Sequence, residues 1–387
     1  MKIVILELMP YPYTLGGGTT HITNLAQALI NKGHEVHIVT SKKNSEKLVK
    51  PPEQAIIHNV GLPHKKFGVH KGILKLYEYI YRLFYESAFV ISATKKLKEL
   101  KPDIIDAQSM GITAVPAARS KLPFIVTAHW VFHLGIKELY SRKNKKFISN
   151  YMSKIYHLIS DYNLKKTSAI VSQADVTTNH YKERANKILK KKPLFKVIPN
   201  LIDINKFRPG NKKKKNQLIC ICRFTKQKAV DKLVTAMEEL KDYTLLLVGD
   251  GELRDEIEQI ATPLKNVKLL GILPPEKYIP LVQESEFFVM TPEWEGLPYV
   301  VIEAMSMGTV PIVTNVGNLP GLVIDNKNGF FFKSNNPEDI VKKIKEVSKL
   351  NIKKYSENAR KTIVENYSLD YVAKLFISTY NKAIKDV

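Results

Sequence analysis

Cysteine and tryptophan are scarce, with two of each among 387 residues. Cys220 and Cys222 alternate on an apparent strand, LICICRF, so their side chains share a face and cannot close a normal disulfide within it. A disulfide scaffold is excluded, and the pair reads as two small buried hydrophobes in a reducing compartment. No further cysteine and no nearby histidine completes a zinc-ligand pattern, so no metal is expected. Long apolar runs are missing too. Nothing approaches the roughly 18 apolar residues of a membrane span, and the short run after Lys2 is interrupted by Glu7, too soon for a secretory leader. The expectation is a cytoplasmic protein, soluble or held peripherally on the inner face of a membrane.

Acidic residues are outnumbered, 37 against 60 basic, for a net charge of +23. Residues 1–205 carry 32 basic and 14 acidic side chains, a balance of +18, against +5 for residues 206–387. Such a field attracts nucleic acid, anionic lipid or acidic glycan, and composition does not choose among them. The excess lies mainly in two stretches with interleaved aromatics, Lys65–Lys101 and Arg142–Lys166. Each suits an amphipathic helix, packed on a core or laid against a bilayer.

The length fits two domains of about 180 residues each. In the first half, strand patterns at Lys2–Leu8, Glu35–Thr40, Ile56–Val60, Ile104–Asp106, Phe124–Ala128, Ala169–Ser172 and Lys196–Pro199 alternate with helical ones, as in a doubly wound parallel sheet. After the first strand comes MPYPYTLGGGTT, where Gly16 and Gly17 would let a ligand approach the backbone. It is not a dinucleotide fingerprint: His21 stands where a third glycine is needed, and seven residues separate Leu8 from Gly16. His129 follows the strand FIVTA directly, the place where open α/β sheets put functional side chains.

A solvated loop, Gly210–Asn216, follows residues 198–209 and marks a boundary near 205/206. Beyond it the alternation resumes, with strands at Leu218–Arg223, Thr244–Val248, Val267–Leu270, Phe287–Met290 and Val310–Thr314 and helices at Ala229–Leu240 and Glu252–Ala261. Arg223 ends the first of these strands and Lys228 precedes a helix, two cations placed to clamp a diphosphate. In EGLPYVVIEAMSMG, Pro298 suits a helix start and Gly308 a stop, so a helix is expected over about 298–307. Glu295 then lies in the preceding loop and Glu303 on the second turn, with the uncapped N–H groups of Gly296 and Leu297 between them.

The run EWEGLPYVVIEAMSMGTVPIVTNVGNLPGLVIDNKNGFFF, together with CRFTKQKAV, VGDGELRDEIE, LLGILPPEKY and IPNLIDINKFRP, resembles the retaining glycosyltransferases of family 4. That resemblance implies the GT-B fold, two Rossmann-like doubly wound domains facing across a cleft. The first would span residues 1–205, completed by a terminal helix at 368–387, and the second, nucleotide-sugar-binding domain 206–367. It implies catalytic roles for His129, Arg223, Lys228 and Glu295: His129 and Glu295 on the transferred sugar, Arg223 and Lys228 on the leaving diphosphate. Gly16, Gly17, Asn200, Gly296, Leu297 and Pro298 would line the nucleotide-sugar site, with Ile272 and Leu273 near the base and Glu303 on the ribose. A nucleoside diphosphate sugar would be the donor and an anionic or lipid-linked glycan the acceptor, with no metal, cofactor or nucleic acid. Two departures stand out: Ala229 replaces a usual glycine, and Gly321 a usual glutamate. A sugar-nucleotide epimerase, a glycosidase using the two glutamates, and a basic membrane or nucleic-acid binder are the competing readings.

Overall fold

The computed structural model describes residues 1–13, 16–43, 49–64, 73–129, 131, 146–211 and 213–386, with the backbone alone for 73–80 and 146–152. They form two compact units, Met1–Leu201 with Val372–Val387, and Ile202–Tyr371.

The first unit holds β1 (Lys2–Glu7), β2 (Glu35–Lys42), β3 (Ile56–Pro63), β4 (Ile104–Ala107), β5 (Phe124–Ala128), β6 (Ala169–Ser172) and β7 (Leu194–Val197). They make one parallel sheet in the order β3-β2-β1-β4-β5-β6-β7. Ile3, Val4, Ile5 and Leu6 are fully buried, as both-face coverage by helices requires. Those helices are α1 (Gly17–Ile30), α2 (Ile73–Leu100), α3 (Val115–Ser120), α4 (Lys146–Leu164) and α5 (Asp175–Ile188). On α2, Tyr85, Phe89, Ala93 and Leu97 enter the core, while Leu83, Phe84 and Ile91 stay 62%, 65% and 65% exposed. Residues 65–72 and 142–145 of the two basic stretches lie outside the described residues.

The second unit holds β8 (Lys214–Ile221), β9 (Thr244–Val248), β10 (Val267–Gly271), β11 (Ser285–Met290), β12 (Val310–Thr314) and β13 (Phe330–Phe332), in the parallel order β10-β9-β8-β11-β12-β13. Helices α6 (Val230–Ala236), α7 (Arg254–Ala261), α8 (Pro275–Glu284), α9 (Tyr299–Ser306), α10 (Pro337–Val347) and α11 (Lys353–Asn366) cover it. The last helix, α12 (Leu369–Lys385), sends Phe376 and Tyr380, both fully buried, into the first unit.

Several elements differ from the sequence expectation. β7 lies earlier, at Leu194–Val197, because β6 sets its register from Ala169↔Leu194 to Ser172↔Val197, and Pro199 has no N–H to continue a ladder. β8 starts at Lys214 within the expected loop, drawn in by pairing with Ser285 of β11. The helix expected at Ala229–Leu240 is α6 alone, since Ala229 is left-handed at φ 45° and residues after Ala236 tighten into i→i−3 bonds such as Met237 N–H to Val234 O, 3.0 Å. β13, at Phe330–Phe332, is not among the expected strands.

In each unit the strand order reverses, between β1 and β4 and again between β8 and β11. At such a point the loops at the carboxyl ends diverge and leave a crevice for a ligand.

Candidate active site

In the second unit, Arg223 stands just beyond the carboxyl end of β8, and Glu295 lies in the loop after β11. The sequence-predicted cations and carboxylate therefore flank one switch point. A 3-10 turn, Lys226–Lys228, carries the Lys228 ammonium to the Glu295 carboxylate, and the pair is 18% and 12% exposed. Arg223 is exposed and makes no ion pair or hydrogen bond among the described residues. One cation thus already gives one of its three N–H donors to a carboxylate, and the other has no partner among the described residues.

The loop holding Glu295 is tied from both sides. Gln227 accepts from Glu293 N–H at 2.9 Å and donates its amide to Trp294 O at 2.9 Å, while Glu295 O accepts from Asn318 N–H at 3.2 Å. Gly317, at φ +56°, packs so closely that an added Cβ would sit 1.7 Å from Glu295 O. Only glycine meets both demands. The Gly296 N–H is not free as expected: it donates to Glu295 Oε1 at 3.2 Å. A Cβ at Gly296 would meet nothing, so open space adjoins that turn. Pro298 is the residue before α9 rather than its first, and Leu297 packs against the core.

Glu303, on α9, is 6% exposed and accepts from the Tyr278 hydroxyl at 2.9 Å. Burial pushes its carboxyl up to about 7, against smaller opposing effects of Tyr278 and Lys206. Tyr278 belongs to α8, which begins just after Ile272 and Leu273. Ile272 is 69% exposed, whereas Leu273 packs partly into the core.

The first unit gathers a different set. Gly16 precedes α1, Gly17 begins it, and both are exposed. From α1 the buried His21 meets His129 edge to face, with ring centroids 4.7 Å apart. His129 Nε2 lies 3.1 Å from Gln108 Oε1, and Gln173 also bonds the ring. Gln108 Nε2 donates to Asp106 Oδ1 at 3.0 Å, which orients Oε1 as the acceptor and makes His129 Nε2 the donor. Burial lowers the His129 imidazole to about 4, so the ring is neutral at ordinary pH. His21 is held well below the usual imidazole range by burial first and by His129 second, and Asn200 hydrogen-bonds its ring. Asn200 thus stands in the first unit, against His21.

Sequence reasoning missed Tyr278, His21, Gln108 and Gln173. Gln108 and Gln173 each stand one residue past a strand, so the carboxyl-end rule that singled out His129 could have found them. His21 was noticed only as an absent glycine. No local signal ties Tyr278 to Glu303, 25 positions away.

Two family models match adjoining parts of the chain: Glycosyltransferase Family 4 over residues 15–206 and Glycosyl transferases group 1 over residues 202–363. The chain belongs to this family of glycosyltransferases, and its fold class is GT-B. It is 28% identical over 382 residues to a glycosyltransferase of Methanocaldococcus jannaschii, covering 94% of this chain and 92% of that one. It is also 28% identical to the UDP-Gal:alpha-D-GlcNAc-diphosphoundecaprenol alpha-1,3-galactosyltransferase of Escherichia coli, over 74% of this chain and 78% of that one. Among solved structures, sucrose-phosphate synthase from Thermosynechococcus elongatus superimposes with a TM-score of 0.77 at 16% identity, covering all of both chains. The sugar-nucleotide epimerase and the non-enzymatic binder are not favoured by these matches.

Proposed function

We propose that this glycosyltransferase moves a sugar, with retention of anomeric configuration, from a nucleoside diphosphate to a hydroxyl of a lipid-linked or otherwise anionic glycan. The arrangement of Arg223, Lys228 and Glu295 around one switch point carries the proposal. In this reading Arg223 and Lys228 take up the negative charge that grows on the departing diphosphate, without a metal ion. Glu295, oriented by Lys228 and its own Gly296 N–H, accepts hydrogen bonds from sugar hydroxyls, and Glu303 accepts from the ribose. Neutral His129, aimed by Gln108, contacts the donor sugar from the first unit. The leaving phosphate takes the acceptor proton on the face it vacates, so no protein nucleophile is needed.

The Escherichia coli relative, whose name specifies UDP-Gal and a diphosphoundecaprenol-linked acceptor, supports a UDP-sugar donor and a lipid-linked acceptor here. The basic excess of residues 1–205 and the exposed Phe84, Ile91, Lys95 and Lys98 on α2 support peripheral attachment at an acidic membrane. The residue spacing puts these four on one helical stripe, apolar at one end and cationic at the other. Each such lysine near an anionic surface contributes about 1 kcal/mol, screened by salt.

Thermal-shift measurements with UDP, GDP and ADP identify the donor base, since a ligand at 100 times its dissociation constant adds about 2.7 kcal/mol. Transfer is then followed with the matching sugar nucleotides in EDTA, with the anomeric configuration of the product read by NMR. Absence of a shift with all three diphosphates refutes a nucleotide-sugar donor. An inverted product or loss of activity in EDTA refutes the proposed mechanism. Sedimentation at low salt with vesicles of increasing anionic lipid tests attachment, which fails if the protein stays in the supernatant.

A further inference from the structure

Of the two Glu303 oxygens, Oε2 accepts the Tyr278 hydroxyl at 2.9 Å, and Oε1 accepts no hydrogen bond among the described residues. Both side chains are almost buried, at 9% and 6% exposed, so neither is held by chance of the solvent-facing surface. Burial first, and the adjoining carboxylate second, push the Tyr278 phenol far above its usual range, so it is a donor at every working pH. A phenol that only donates dictates which carboxylate oxygen is taken. The other remains for a ligand hydroxyl. Tyr278 N–H also bonds Pro274 O at 3.2 Å, so the phenol rides on the first turn of α8, directly behind the Ile272–Pro274 loop.

We infer that Tyr278 is a positioning residue: its hydroxyl fixes the Glu303 carboxylate so that one oxygen faces the ribose hydroxyls of a nucleoside diphosphate. This rests on the ribose role proposed for Glu303. Without the phenolic donor, a carboxylate only 6% exposed on α9 has no fixed orientation and reverts more readily to its neutral acid. A neutral acid is a weaker acceptor for a ribose hydroxyl. Tyr278 therefore acts on ribose recognition and not on the diphosphate.

The test uses the full chain as wild type, Tyr278→Phe and Glu303→Gln, titrated calorimetrically with UDP and with 2′,3′-dideoxy-UDP, or the guanosine or adenosine pair where that diphosphate gives the larger thermal shift. Wild type is expected to prefer the ribose form by about tenfold or more, equivalent to about 1.4 kcal/mol. Both variants are expected to bring that preference within about threefold, with affinity for the dideoxy form unchanged and, in Tyr278→Phe, a raised donor KM at nearly constant kcat. Phe preserves the packing of the ring, and unfolding curves confirm the fold. Tyr278→His, which retains a ring donor, is expected to recover part of the preference lost in Tyr278→Phe. If Glu303→Gln erases the preference and Tyr278→Phe keeps it, the positioning role is overturned and the ribose role of Glu303 stands. If wild type shows no preference, or Glu303→Gln keeps it, the ribose role fails and the positioning role with it.

Discussion

Lys228 and Glu295, 67 positions apart, are joined by an ion pair that locks the turn after β8 to the loop after β11. Both are largely shielded, so removal of one partner leaves the other poorly solvated. Lys228→Ala and Glu295→Gln are expected to be non-additive, with a coupling of about 1–3 kcal/mol in a double-mutant cycle measured by denaturant unfolding. Additive effects would show that the contact contributes little.

Arg223 offers the complementary case, because it is exposed and uncommitted. Arg223→Ala is expected to leave stability within about 0.5 kcal/mol of wild type, as surface changes do. Turnover should fall far more than affinity for the nucleoside monophosphate, since the charge it meets grows on the leaving diphosphate. Steady-state kinetics beside monophosphate titrations read the two effects; equal losses would mean that Arg223 contributes only uniform binding.

Glu303 predicts a pH dependence with a definite sign. Its carboxyl is raised from an ordinary 4.5 to about 7, so between those values the folded chain holds a proton that the unfolded chain has released. The stability contributed by the neutral acid is present in full below about pH 4.5 and is lost as pH rises through 7, at up to about 1.4 kcal/mol per pH unit. Raised carboxyls at Asp106, to about 6, and Glu7, to about 7, act in the same direction, so the measurement is a difference between wild type and Glu303→Gln. That difference should decline across the window and level off above it. Nucleotide affinity should rise over the same range as the carboxylate forms; a flat difference curve would mean an unshifted Glu303.

Two glycines near the site should respond oppositely. Gly317→Ala forces a methyl into Glu295 O at a left-handed φ and is expected to lower both stability and donor binding, by about 2 kcal/mol or more. At Gly321 a Cβ meets nothing and φ is not positive, so Gly321→Ala should unfold at the wild-type temperature. Gly321→Glu, which installs the usual family carboxylate, should fold as well and change only the donor-sugar kinetics. Differential scanning calorimetry of the three variants decides the comparison.

The alternation of strands and helices was legible because parallel strands buried on both faces must be apolar throughout, as in Phe124–Ala128 and Val310–Thr314, both located to the residue. Boundaries failed where pairing overrides composition: Lys214 and Lys215 are exposed, yet the ladder with β11 makes them strand. Ala229 shows the reverse case. The usual glycine is explained by its φ of 45°, ψ of 43°, which alanine occupies here at about 1 kcal/mol of strain. Arg223, Lys228, Glu295 and Glu303 were candidates from their places beside strand ends and around the start of a helix, and the family resemblance gave them their expected roles. Tyr278 and His21 could not be found in this way, since each meets its partner only after the sheet has brought distant segments together.

The hydrogen bond from Tyr380 to the buried Asp106 spans 274 positions. Asp106 is fully buried beneath Thr127 and Gln108, and its third donor comes from α12, which follows the whole of the second unit in the chain. During vectorial synthesis the continuous segment Ile202–Tyr371 can close its own core first, whereas the unit built on Met1–Leu201 must wait with Phe376 and Tyr380 still undelivered. Translation order and completion order are therefore inverted. A chain truncated after residue 371 should resist protease over the second unit while the first remains cleavable, and restoring α12 should seal the first unit.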